Sequence, residues 1–95
     1  MTVGSAKIEL RIPASESLKA KRRVVKSLKE RLQGRFAVAV AEVDHLDAWQ
    51  RATLGIACVS NDRRLVDATL SKIVDWIEGS GDVLVIDVDI ELMSR

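Results

Sequence analysis

Four stretches of this chain alternate apolar and polar residues along all or part of their length, and two others repeat their apolar residues at the helical period. Ala6–Ile12 alternates strictly, with Ile8, Leu10 and Ile12 on one face and Lys7, Glu9 and Arg11 on the other. That is the period of a half-buried strand. Pro13 stops it, and Ser15 or Ser17 can cap a helix beginning just beyond by accepting from free backbone N–H groups. From Leu18 to Leu32 the period lengthens: Val24, Val25, Leu28 and Leu32 share one arc, with Lys19, Arg22, Arg23, Lys26 and Lys29 opposite. The pattern predicts an amphipathic helix, with Gly34 as its left-handed terminator.

Arg35–Asp44 reads as a second strand, in which Phe36, Val38 and Val40 oppose Ala37, Ala39 and Ala41. Size turns Phe36 toward the helices, and Glu42 then shares its inward phase. Either the strand bends near Ala41 or both of its faces are covered. Asp44-His-Leu-Asp-Ala-Trp49 links it to a third strand, Gln50–Val59, as a hairpin. Ser60-Asn61-Asp62 starts a second helix, with Leu65, Val66, Thr69, Leu70, Ile73, Trp76 and Ile77 on one face, and Glu78-Gly79-Ser80-Gly81 ends it. Val83–Leu92 reads as a last strand, placing Leu84, Ile86, Val88, Ile90 and Leu92 opposite Asp87, Asp89 and Glu91. The order β-α-β-β-α-β predicts an α+β, ferredoxin-like fold spanning residues 1–95 as one domain. Right-handed crossovers give one antiparallel sheet of strand order 4-1-3-2, with both helices on one face.

Charge is uneven along this frame. The 95 residues carry a net +1, which by itself points to no charged partner. Residues 1–47, however, hold ten basic and six acidic side chains, and residues 48–95 five and eight. The excess sits on the first helix, where seven basic residues between Lys19 and Arg31 face one acid, Glu30. A single-sign stripe attracts polyanions, so Lys19, Lys21, Arg22, Arg23, Lys26 and Lys29 are candidate contacts to RNA or ribosomal phosphate. The alternative is a solvated surface face. A lone cysteine, Cys58, excludes an intrachain disulfide framework and suits a reducing cytosol. No apolar run is long enough for a membrane span, and Lys7, Glu9 and Arg11 interrupt any signal-peptide pattern. One Asn, two Gln, one Cys and nine Arg lean toward a heat-adapted source.

The topology gathers the start of the first helix and the hairpin at one end of the sheet. Glu42, Asp44, Trp49 and Arg51 form a candidate cluster there, with Lys21 leaning toward Glu42 or Asp44. Two uses are open: an ion-pair network that fastens hairpin to helix, or an anion site of Lys19, Lys21, Arg22 and the helix N-terminus. On the outer sheet face, Asp87, Asp89 and Glu91 can pair with Lys7 and Arg11. Ala37, Ala39, Gly55 and Ala57 leave a flat, weakly apolar surface that suits a homodimer interface. That face lacks aromatic residues, so it offers no stacking platform for bases. His45 has no spacing partners for a metal, Cys58 lies in phase with Leu54 and Ile56 as a buried thiol, and Ser60 is remote from His45. No catalytic residue, cofactor or metal is expected.

Several blocks match a known pattern. Ser17-Leu-Lys-Ala-Lys-Arg-Arg-Val-Val-Lys-Ser-Leu28, Arg35-Phe36, Val40-Ala-Glu-Val-Asp-His45, Trp49-Gln-Arg-Ala52, Leu54-Gly55 and Val59-Ser-Asn-Asp62 resemble the YlxP-like family of small bacterial proteins, a domain-of-unknown-function family. The resemblance covers nearly the whole chain, and Leu46 departs from it, standing where relatives tend to be more polar. It implies a ferredoxin-like fold and no assigned enzymatic activity. Relatives are often encoded beside translation-initiation and ribosome-maturation factors, which adds to the expectation of RNA or the ribosome as partner. The chain thus reads as a non-enzymatic, cytoplasmic, dimeric binding module. A protein-docking domain or a small-anion regulatory domain is the alternative.

Overall fold

The strictly alternating first segment forms a central strand, with its apolar face on the core and a partner on each edge. In the computed structural model, which describes residues 1–95, β1 (Thr2–Arg11) lies between β3 (Arg51–Ser60) and β4 (Leu84–Ser94). The short edge strand β2 (Ala39–Asp44) pairs with β3. All pairs are antiparallel and the order is β2-β3-β1-β4, the expected order read from the opposite edge. Helices α1 (Leu18–Arg35) and α2 (Arg63–Glu78) complete the βαββαβ arrangement.

One continuous core lies between the sheet and the helices. Ala6, Ile8 and Leu10 from β1 and Leu54, Ile56 and Cys58 from β3 meet Val25, Leu28 and Leu32 of α1 and Val66, Leu70, Ile73 and Ile77 of α2. β1 starts four residues earlier than its alternation suggests, paired from Thr2 on both edges, and Gly4 in this extension lets α2 approach. A Cβ there would run into Val66 Cγ1 and stand 2.9 Å from Leu70 Cδ1. Between the two cap candidates the geometry selects Ser17, whose Oγ accepts from Ala20 N at 3.0 Å, while Ser15 Oγ donates to Ser17 O. Asp62 caps α2 by accepting from Arg64 N at 2.9 Å.

Several expected boundaries and phases shift. Gly34 does not end α1. The helix continues through Arg35 to an extended cap at Phe36, whose N–H donates to Leu32 O at 2.9 Å. Residues 35–38 are therefore not strand, although Phe36 and Val38 still pack on the core. Bulges explain the rest, since an extra residue reverses which face the following side chains occupy. In β4 the register slips between Glu9 and Leu10 of β1: Glu9 faces Asp87 and Leu10 faces Val85, so Ile86 is the extra residue. Val83 and Val85 turn inward before it and Val88, Ile90 and Leu92 after it, which leaves Leu84 and Ile86 exposed. In β2 the slip between Glu42 and Asp44 makes Val43 the extra residue. Leu65, read as part of the buried face of α2, is also exposed.

Candidate nucleic-acid interface and the hairpin beside it

Lys21 lies on the sheet-facing arc of α1 and is fully buried, with 0% of its surface exposed. A buried ammonium must find partners for its protons, and this one finds them in the hairpin. Lys21 Nζ donates to Glu42 Oε2 at 2.7 Å, to His45 O at 2.9 Å and to Leu46 O at 3.0 Å, with Arg51 O at 3.4 Å. Glu42 reaches it because it shares the inward phase of Val40, which solves the problem of an acid pointing to the core. Gln50 fastens the other limb: its Nε2 donates to Ser15 O at 3.1 Å and its carbonyl accepts from Ile12 N at 2.8 Å. His45 takes a positive φ of 60° at the turn, and its N–H donates to Asp44 Oδ1 at 2.7 Å. Lys21 and Glu42 thus fasten hairpin to helix, while the side chains of Asp44 and Arg51 lie outside that pair, near His45 and Glu9 respectively.

The expectation that Lys21 touches phosphate is corrected by the same geometry, because its charge is spent inside the protein. The small-anion site at the helix start loses its central cation with it. The cavity of about 320 Å³ beside that helix start is lined by Ser15, Ala20, Val24, Gly81 and Asp82 among others, and by no cation.

The outer arc of α1 keeps the rest. Lys19, Arg22, Arg23 and Lys26 are exposed and Lys29 is half-buried. The only acid paired with them is Glu30, 4.0 Å from Lys26. At the helical rise these five cations span about 15 Å of surface. Arg31 and Arg35 turn away toward α2, with their guanidinium carbons 5.3 and 5.8 Å from the Trp76 ring centroid. Arg31 also sits 3.5 Å from Asp82. Trp76 therefore packs under cations from the neighbouring helix.

The outer sheet face is less paired than expected. None of Asp87, Asp89 and Glu91 makes an ion pair with Lys7 or Arg11, and the bulge places Arg11 opposite Leu84. Arg51 instead approaches Glu9, at 3.9 Å. A shallow groove of about 570 Å³ runs over Ala39, Ala41, Gly55 and Ala57, with Val43 and Lys7 on its rim. Ala37 is not part of it, because residues 35–38 leave the sheet. It lines a separate depression with Phe36, Cys58 and Leu65. Cys58 is buried, and no three His, Cys, Asp or Glu side chains cluster as a metal site.

Residues 3–90 match a family described as "Protein of unknown function (DUF503)". The uncharacterized protein YlxP of Bacillus subtilis (strain 168) is 35% identical over 81 residues, covering 85% of this chain and 88% of that one. The chain belongs to the DUF503 family. The YlxP-like resemblance of its motif blocks is thus a family membership. A de novo designed protein, Foldit4, superposes with a TM-score of 0.54 over 98% of both chains at 14% identity, a likeness of fold alone. In this DUF503 chain the side chains that sequence reasoning missed are Gln50, Val43 and the Arg31–Trp76–Arg35 stack. Gln50 follows an exposed Trp in a polar link, and no pattern marks its amide as a fastener. The stack had a signal: Arg31 and Arg35 are four residues apart, on an arc beside the apolar one.

Proposed function

We propose that this protein is a non-enzymatic, cytoplasmic binding module that holds RNA, free or within a ribosomal particle, on the outer arc of α1. The observation that carries the reading is the stripe of Lys19, Arg22, Arg23, Lys26 and Lys29, which meets a single acid along its length. Cations without intramolecular partners keep their field for a ligand, and phosphate backbones supply the matching charge. The sheet has no aromatic platform, so contact is to the backbone and sequence-tolerant. The reactive side chains stand apart: His45 is in the hairpin, while Cys58 and Ser60 lie at the far end of β3. A single buried thiol suits a reducing compartment. Filter binding of ribosomal RNA at low and moderate salt tests the reading. Binding at low salt that weakens in Arg22→Ala with Lys26→Ala supports it, and absence of binding at low salt overturns it.

A second reading is favoured by the outer sheet face. Val59, Val3 and Met93 stand in register across three strands; exposed Val59 follows Ala57 on β3 next to the Ala39–Ala57 groove, and exposed Met93 extends the apolar row across β1 to β4. We propose that a second copy packs there. From strand length and spacing the face offers on the order of 600 Å² per copy, at the low edge of stable interfaces. The dimer is accordingly weak. Sedimentation should show concentration-dependent association that Ala41→Glu abolishes; a monomer at all concentrations removes the idea.

A further inference from the structure

The hairpin presents two large apolar side chains to solvent on a backbone that is held in place. Leu46 is 55% exposed and Trp49 is 57% exposed. Lys21 holds the carbonyls of His45, Leu46 and Arg51, Ala48 N–H donates to His45 O at 3.0 Å, and Gln50 is fastened to Ser15 and Ile12. A loop pinned at residues 45, 46, 48, 50 and 51 has little freedom to fold Trp49 under itself. Trp is among the residues enriched at the hot spots of protein interfaces, and one held on a fixed backbone has less entropy to lose on docking.

The charge around this anchor selects the partner. Residues 36–50 contain Glu42, Asp44 and Asp47 and no Lys or Arg. Glu42 is matched internally by Lys21, which leaves the exposed Asp44 and Asp47 as the outward charge. Exposed Glu16 adds to them from the loop to which Gln50 is tied. Of the cations at the base of the hairpin, Lys21 is committed inside it, while Arg51 is half-exposed 3.9 Å from Glu9 and Arg11 stands opposite it on β1, at the strand ends and away from the tip that carries Leu46 and Asp47. Lys19 and Arg22 lie on the outer arc of α1 and belong to the stripe. An apolar knob whose own turn carries acids, Asp44 and Asp47, and no Lys or Arg complements a basic surface better than a phosphate backbone.

We infer that the knob of Leu46 and Trp49 docks into an apolar pocket on a basic protein, beside and distinct from the RNA stripe. The inference goes beyond the RNA reading and rests on it only for the choice of test particle. Two probes separate the possibilities: purified ribosomal subunits, and the same ribosomal RNA stripped of protein. Wild type, Trp49→Ala and Asp47→Lys are titrated against each, with thermal melts to check folding; all the changed side chains are exposed. Trp49→Ala is expected to weaken binding to subunits at least about 10-fold, the loss typical of an interface Trp, while leaving binding to bare RNA unchanged. Asp47→Lys is expected to weaken subunit binding without weakening RNA binding. Equal loss by Trp49→Ala on both probes would place the ring on RNA and overturn the inference, as would no loss on either. Wild type that binds subunits but not bare RNA removes the RNA reading alone, provided Trp49→Ala still releases the subunits. Wild type that binds neither probe overturns both.

Discussion

Lys21 Nζ and Glu42 Oε2 meet at 2.7 Å, joining α1 to the edge strand β2 across 21 residues of sequence. The ammonium is fully buried and the carboxylate is only 17% exposed. The pair therefore fixes the hairpin more than it adds stability, since desolvation offsets much of the attraction. Removing one partner is another matter. Lys21→Met leaves a carboxylate and the His45 and Leu46 carbonyls without their donor, and should cost about 3–5 kcal/mol in urea unfolding. Glu42→Gln keeps an acceptor and should cost less, about 1–3 kcal/mol. A loss below about 1 kcal/mol for Lys21→Met would mean that water reaches the Glu42 carboxylate and the freed carbonyls.

Two glycines should respond to alanine in opposite directions. At Gly4 the new methyl group collides with Val66 and comes 2.9 Å from Leu70, two fully buried side chains of which Val66 is β-branched and stiff. Gly4→Ala should destabilise by about 1–3 kcal/mol. Gly34 lies inside α1 with open space around its missing Cβ. Gly34→Ala should therefore stabilise by up to about 1 kcal/mol, through helix propensity and a less flexible unfolded chain. Thermal melts of the two variants settle the signs.

Thr53 is 1% exposed and its hydroxyl has no hydrogen-bond partner. It is held in register between Glu9 and Asp44. Replacing the hydroxyl with a methyl group removes an uncompensated polar atom at nearly constant shape. Thr53→Val should raise stability by about 1 kcal/mol. A loss instead would reveal a buried water on that hydroxyl.

The RNA reading carries a quantitative salt signature. Each phosphate contact to a single strand contributes about −0.7 to the slope of log affinity against log salt. Arg22→Ala with Lys26→Ala removes two of the five stripe cations, so the slope should become shallower by about 1.4. An unchanged slope in fluorescence-polarisation titrations would move the contact off α1.

The order of elements was legible because each segment's period is set by its own residues: Ile8, Leu10 and Ile12 can share a face only on a strand, Val25, Leu28 and Leu32 only on a helix. The losses came where one residue interrupts a period. Leu84 and Ile86 continue the apparent alternation of Val88 and Ile90, but the bulge at Ile86 resets the phase, and its position depends on pairing with β1. Gly34 looked like a terminator, yet a helix tolerates glycine when later residues keep their contacts, as Arg35 does over Trp76. At the candidate site, the inward arc of Lys21 and the inward phase of Glu42 were both readable. Their meeting is legible only in part, because burial of an ammonium depends on three backbone carbonyls whose positions no side-chain pattern encodes.

Those three carbonyls have one more consequence. Lys21 sits on the same helix as the cationic stripe and grips the backbone that carries Leu46 and Trp49, so the two surfaces share a rigid frame and keep a constant separation. A partner held at one surface meets the other at a high effective concentration instead of as an independent encounter. If both proposed contacts form on one particle, feeble contacts multiply into avidity. A single unlocked lysine would forfeit that gain while leaving every exposed side chain unchanged.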